Sequence, residues 1–196
     1  MGKKTNITAI AQKAQAAALE MATVPNKTKT RALKAMAAAL KKNTDAIVRA
    51  NQKDLAAGKR KRLSPALLDR LMLDRVRIQK MARAIKSIAR LKDPVGKIEQ
   101  VRKRPQGFAL KKVRVPIGVV AIIYEARPNV TGDAAALGLK SGNAVILKGG
   151  SEAIHSNNVL VRILAKAAYG SGIPRGAIGF VNSTSRQAVK ELLVLD

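Results

Sequence analysis

The sequence contains no cysteine and no tryptophan, and only one histidine, two tyrosines and two phenylalanines in 196 residues. Without cysteine there is neither a disulfide nor a thiolate nucleophile in this chain. With 2% aromatic residues, a platform for stacking nucleic-acid bases is not expected. The single histidine, His155, sits in a Ser/Asn-rich helix start with no metal-ligand cluster around it. A structural or surface role is the expectation there, and no metal site. No apolar run approaches the roughly 20 residues that span a bilayer. The basic start Met1-Gly2-Lys3-Lys4-Thr5 is not followed by a signal-peptide apolar stretch and fits a myristoylation signal poorly. A cytoplasmic chain that does not enter membranes is the resulting expectation.

Acidic residues are also scarce: 12 Asp and Glu against 38 Lys and Arg, a formal net charge of +26. The imbalance is local. Residues 1–115 hold 30 Lys and Arg against 7 Asp and Glu, whereas residues 116–196 hold 8 against 5. Such asymmetry can mark an anionic partner, or simply a solvated helical surface. A basic nucleic-acid-binding protein is therefore one reading. A stand-alone, non-catalytic dinucleotide-binding module is another, and an enzyme a third. Hydrophobic residues at 47% supply enough apolar surface for a core.

The first 92 residues read as helices. Thr5 or Asn6 can cap a helix with Ile7, Ile10, Ala14, Ala17, Ala18 and Met21 on one stripe. After Val24-Pro25-Asn26, a second helix carries Ala32, Leu33, Met36, Ala37 and Leu40. Asn43-Thr44-Asp45 stops one helix and starts the next, which uses Ile47, Val48, Ala50 and Leu55. Gly58-Lys59-Arg60-Lys61-Arg62 reads as a basic loop, and Ser64-Pro65 as an N-cap followed by Pro at the first helical position. From Asp74, a helix places Val76, Ile78, Met81, Ile85, Ile88 and Leu91 on its apolar face; Asp93-Pro94 ends it. Residues 97–101 and 108–115 alternate like strands around Pro105-Gln106-Gly107, an exposed hairpin whose edges suit assembly. Thereafter three apolar runs, 118–124, 143–147 and 177–181, alternate with helical segments near 130–139, 157–169 and 186–193. Runs apolar on both faces suit parallel strands covered on each side by helices. The fold class is α/β: a helical region (1–94), a β-hairpin (95–115) and a partial doubly wound parallel sheet (116–196).

Ligands of open α/β sheets gather at the carboxyl ends of the strands. The first strand ends in Tyr124-Glu125-Ala126-Arg127-Pro128-Asn129-Val130-Thr131. This is either a polar loop with an Asn cap or a site edge. The second ends in Lys148-Gly149-Gly150-Ser151-Glu152, where small residues let a ribose or phosphate approach the backbone. It is neither the Rossmann glycine fingerprint nor a P-loop, and a plain glycine turn is the alternative. The third ends in Asn182-Ser183-Thr184-Ser185-Arg186, a phosphate-binding set or a capping cluster.

The block from Val113 to Thr131, continued by Asp133–Leu137 and Leu139–Ala153, closely resembles the γ-glutamyl phosphate reductase family of the aldehyde dehydrogenase superfamily. Weaker echoes occur at Leu63–Leu71 and Lys92–Gly96. The resemblance implies an aldehyde dehydrogenase-like fold, and NADPH as cofactor. It implies reduction of L-glutamyl 5-phosphate to L-glutamate 5-semialdehyde in proline synthesis, a homo-oligomer joined through the hairpin, and glutamate 5-kinase as a protein partner. Carried onto this sequence, Asn129 corresponds to the oxyanion-hole asparagine. Lys148, Gly149, Ser151 and Glu152 correspond to the segment meeting the adenosine ribose and its phosphate, and Asn182 and Arg186 flank the pyrophosphate-side turn. Glu125 and Arg127 belong to the family motif, with the substrate as their candidate ligand. Gly132 stands where the family commonly has Val. The family chain is about twice this length and uses a downstream cysteine. The expectation is that these 196 residues are its N-terminal part, truncated before the nucleophile and inactive alone.

Overall fold

The computed structural model describes residues 6–195. Five helices come first: α1 (Ile7–Met21), α2 (Asn26–Lys42), α3 (Thr44–Arg60), α4 (Pro65–Leu71) and α5 (Arg75–Arg90). The expected caps form. Asn6 accepts from the Ala9 amide, Ser64 from Leu67 and Asp74 from Arg77. Thr5 lies outside the described residues. The strands β1 (Ile98–Lys103) and β2 (Ala109–Val113) pair antiparallel as an exposed hairpin with a register shift between Ile98 and Gln100. The remainder is β3 (Val119–Ile123), α6 (Asn129–Lys140), β4 (Ala144–Lys148), α7 (Ile154–Tyr169), β5 (Ile178–Phe180) and α8 (Arg186–Leu193). The three later strands form a parallel sheet in the order β3-β4-β5.

Two elements depart from the sequence expectation. The stretch Gly58–Arg60 is helical and belongs to α3, so the basic loop shrinks to the turn at Lys61-Arg62. Gly58 is buried, and a Cβ there would stand 3.0 Å from Leu63 and 3.1 Å from Leu68. That glycine makes room for the α3–α4 packing and does not stop the helix. Val76 and Leu91, placed on the apolar face of α5 by spacing, are 56% and 53% exposed. They lie at and beyond the helix ends, where the stripe leaves the core. Gly132 lies one contact from α5: a Cβ would sit 3.3 Å from Met81 Cε and 3.5 Å from Ile85 Cδ1.

One apolar core joins the helices of residues 7–90 to the sheet. It runs from Met21, Leu33, Met36 and Leu40 through Ile78 and Ile85 to Leu139, Leu147, Leu160 and Leu164. Strand β4 is buried at every position, as a central parallel strand should be. β3 is not: its residues are half-buried or exposed, and among the described residues it pairs only with β4. Beside it, an open and mostly apolar groove of about 910 Å³ runs between α1, residues 113–121 and the end of α8.

A polar knot is set into this core. Lys29 is 1% exposed, and its Nζ lies 2.6 Å from Asp93 Oδ2. Lys140 Nζ donates to Asn26 Oδ1 (2.8 Å), Thr30 Oγ1 (3.2 Å) and the Ala89 carbonyl (3.1 Å). Burial lowers the Lys140 ammonium below the ordinary lysine range; Asp93 opposes the shift and Lys29 adds to it. The knot ties α2, the end of α5 and the end of α6 together. Removing one partner of such a pair strands a buried charge. Asp93→Ala is therefore expected to lower stability by about 3 kcal/mol in urea unfolding. Adding Lys29→Met should recover most of the loss, whereas a purely additive double variant would show that the pair does not couple.

Candidate functional site

The parallel pairing brings the carboxyl ends of the strands side by side. The Tyr124 amide donates to the Lys148 carbonyl (3.0 Å), and the Val181 amide to the Leu147 carbonyl (2.9 Å). Above them lies a cleft of about 420 Å³ lined by Tyr124, Glu125 and Ala126 after β3, residues 148–152 after β4, and Thr184, Ser185 and Arg186 before α8. The two glycines give this cleft its floor. A Cβ on Gly149 would fall 2.1 Å from Asn157 Nδ2, and one on Gly150 would fall 2.7 Å from Glu152 Oε2 and 3.2 Å from the Glu125 backbone. Both positions are thus held to glycine by the protein's own packing, and they leave two residues without side chains at the cleft.

Of the residues singled out in the sequence, Glu125, Lys148, Gly149, Ser151, Glu152 and Arg186 line this one cleft. Lys148 is buried, and its Nζ donates to its neighbour's carbonyl, Gly149 O, at 2.9 Å. Burial lowers its ammonium below the usual range, and Glu152 opposes the shift. Ser151 Oγ donates to Glu152 Oε1 (3.0 Å). The hydroxyls before α8 act as local caps: Ser185 Oγ accepts from Gln187 and Ser183 Oγ from Ser185, each at 3.1 Å.

Three of the candidates lie elsewhere. Asn129 is the first residue of α6 and faces a separate cavity of about 240 Å³, with Asp133 one turn on and α4–α5 residues opposite. Asn182 faces a third cleft, among Arg49, Lys53 and Arg162. Arg127 is exposed between the first two cavities and lines neither.

Sequence reasoning missed the layer beneath the cleft. Asp54, in the middle of α3, is 1% exposed. Its Oδ1 accepts from the His155 amide (3.1 Å), and its Oδ2 accepts from the Ser156 amide (2.8 Å) and hydroxyl (2.6 Å). A carboxylate from one helix thus caps the N-terminus of another, where the α7 dipole favours negative charge. Asn51, one turn earlier, donates to the Leu71 carbonyl and Ser156 Oγ and accepts from the Leu73 amide. The available signal was periodicity: Asn51 and Asp54 continue the stripe of Ile47, Ala50 and Gly58. Deeper still, Tyr124 and Thr131 hydroxyls meet at 2.6 Å, and Thr131 donates to Asn157 Oδ1 at 2.9 Å. Burial pushes the Tyr124 phenol up to about 12, with the Thr131 hydrogen bond opposing. Asn157 Nδ2 is buried without a partner below Gly149.

The sequence profile of the aldehyde dehydrogenase family matches residues 1–195. The chain belongs to the aldehyde dehydrogenase family. Within it, the chain is 53% identical over 186 residues to the gamma-glutamyl phosphate reductase of Caldanaerobacter subterraneus, covering 95% of this chain and 45% of that protein. It is 51% identical to the Clostridium novyi protein of the same name, over 93% and 44% of the two chains. The crystal structure of the gamma-glutamyl phosphate reductase from Thermotoga maritima superposes with a TM-score of 0.94 at 35% identity, over 96% of this chain and 46% of that one. The Saccharomyces cerevisiae structure gives 0.88 at 35% identity, over 96% and 48%. The likeness read from the Val113–Ala153 block therefore holds along nearly the whole chain, which spans just under half the length of these family members. Among the described residues there is neither a helix long and apolar enough to cross a membrane nor a cluster of potential metal ligands.

Two measurements probe the polar layer beneath the cleft. Tyr124 should titrate near pH 12, visible as the phenolate absorbance that Tyr124→Phe removes. A half-point near the ordinary 10 would show an accessible phenol. Because the folded state holds this proton more tightly, the associated stability is complete below pH 10 and declines as pH rises toward about 12. Asp54→Ala leaves two α7 amides and a hydroxyl unpaired. It should cost about 2–4 kcal/mol and raise amide exchange at His155 and Ser156 first; slow exchange there would refute the cap.

Proposed function

We propose that this chain supplies the cofactor cleft and the oxyanion donor of an NADPH-dependent reductase that converts L-glutamyl 5-phosphate into L-glutamate 5-semialdehyde and inorganic phosphate. The step belongs to proline synthesis, and we place it in the cytoplasm. The observation that carries the reading is the convergence of the β3 and β4 tips on one cleft whose glycine floor excludes side chains. Relatives at 51–53% identity carry the name of this activity.

The residues fit a dinucleotide. Glu152 and Ser151 offer acceptor and donor groups to ribose hydroxyls, Lys148 a cation to phosphate, and Arg186 a second cation across the cleft. When bound, the nicotinamide supplies the hydride that replaces phosphate on the acyl carbon. We assign Asn129, at the positive end of α6, to the oxygen on which charge develops, as a donor of the oxyanion-hole type. Glu125 sits on the cofactor side of Arg127, and we assign Arg127 to the anionic end of the incoming substrate. Asn182 faces the separate cleft among Arg49, Lys53 and Arg162 and is given no part in the cofactor cleft. The hairpin, exposed along both strands with Val101, Leu110 and Val113 half in solvent, serves self-association. The kinase that makes the acyl phosphate is the protein partner this reading assigns.

Fluorescence titration with NADPH tests the proposal. Saturable binding is expected, about tenfold weaker for Lys148→Met, the loss of one charge-assisted contact. No saturable binding, together with RNA binding that falls steeply with salt, would replace it with the nucleic-acid reading. The 196 residues contain no cysteine, so by themselves they are expected not to catalyse phosphate-dependent NADP reduction with glutamate semialdehyde. Measurable turnover would overturn the thiolate mechanism.

A further inference from the structure

The cavity in front of Asn129 has a composition that the cofactor reading leaves unused. It lies between the end of α4, the first half of α5 and the first turns of α6. Asp133 enters it from α6, and Arg70, Arg77 and Lys80 stand opposite on α4 and α5. Arg77 is already committed, with Nη2 2.6 Å from Asp69 Oδ1 and Nη1 3.2 Å from the Met72 carbonyl. Arg70 and Lys80 are exposed and make no ion pair among the described residues. Asp133 is the odd member. It sits partly buried, and its Oδ1 is sealed from solvent with no hydrogen-bond partner. Burial raises its carboxyl above the usual carboxylate range, and the Asn129 amide beside it works the other way. A half-satisfied carboxylate facing two free cations across a small cavity is the pattern of a site for a zwitterion. The carboxylate lacks a cation, and the cations lack an anion.

Resting on the acyl-phosphate reading above, we propose that this cavity seats the amino-acid end of the substrate: Asp133 receives the α-ammonium, and Arg70 and Lys80 receive the α-carboxylate. Position supports the assignment. Asn129 and Asp133 are four residues apart on one helix and so share a face. They are separated along the axis by about 6 Å, a distance comparable to the four bonds from the reacting carbonyl of a glutamyl chain to its α-nitrogen. A substrate whose carbonyl oxygen meets Asn129 thereby lays its head group at Asp133. The cavity holds about 240 Å³, room for that head group and short chain. The carboxylate also supplies specificity. An analogue lacking the ammonium leaves Asp133 buried and unpaired, which rejects it far more strongly than a lost apolar contact would.

The test compares two uncharged-tail probes, L-glutamine and glutaramate, which differ in the α-ammonium. Each is titrated into the 196-residue chain while the amide NMR signals of residues 129–133 are followed. L-Glutamine is expected to bind at least about tenfold more tightly than glutaramate, with shifts centred on those residues. Asp133→Asn, nearly isosteric, should abolish the preference. Lys80→Ala and Arg70→Ala, on exposed positions, should weaken both probes alike. Equal binding of the two probes to the unaltered chain overturns the proposal without any variant needing to fold, and so does a preference that survives in folded Asp133→Asn. NADPH titrated into the same samples separates the two readings. NADPH binding without a glutamine preference removes this inference alone, and loss of both removes the proposed function as well.

Discussion

A buried carboxylate holds the two ends of this structure in register. Asp54 belongs to the basic helical segment, yet its oxygens close the N-terminus of α7, the helix that follows the turn after β4. A carboxyl side chain at 1% exposure is costly unless it is fully hydrogen-bonded. Here three donors and a helix dipole supply that compensation. The turn 148–153 therefore cannot shift independently of α3, and the geometry of the cleft depends on a contact a hundred residues away in sequence.

The same logic recurs elsewhere in the molecule. Lys29 and Asp93 pair inside the helical core, and Lys140 finds three acceptors at the junction of α2, α5 and α6. Tyr124, Thr131 and Asn157 form a chain of hydrogen bonds beneath the strand ends. Each is a long-range polar contact in a low-dielectric setting, where a satisfied network stiffens its surroundings. The strand tips, by contrast, are built from glycines and short polar residues. The chain thus has a rigid underside and an upper surface open to a ligand, the division of labour that binding on a pre-formed scaffold calls for.

The strong positive charge fits this picture as surface. Nearly all of it lies in residues 1–115, on the outer faces of helices and on a hairpin exposed along both strands. There it raises the local concentration of anionic ligands without selecting among them.

Local order was legible from the sequence because it is governed by near neighbours. Asn6, Ser64 and Asp74 announce helix starts through their own caps, and the runs 118–124 and 143–147 read as parallel strands through their apolar character on both faces. The Val113–Ala153 block pointed to the family. What it could not show is which polar residues leave the surface. Lys29 looks like a solvent-facing position until Asp93 meets it, and the polar Asn51 and Asp54, although they continue the α3 stripe, have no visible partner until another element supplies one. The end of α3 was hidden for the same reason, since Gly58 reads as a stop unless Leu63 and Leu68 are seen packed against it. Likewise, the tip residues form one continuous list in sequence, yet they divide among three cavities, and the face that Asn129 and Asp133 share on α6 becomes a cavity only where α4 and α5 close over it. Propensity and periodicity are properties of a segment, and they determined the elements. Burial, pairing and shared cavities are properties of two segments brought together, so only the tertiary structure could decide them.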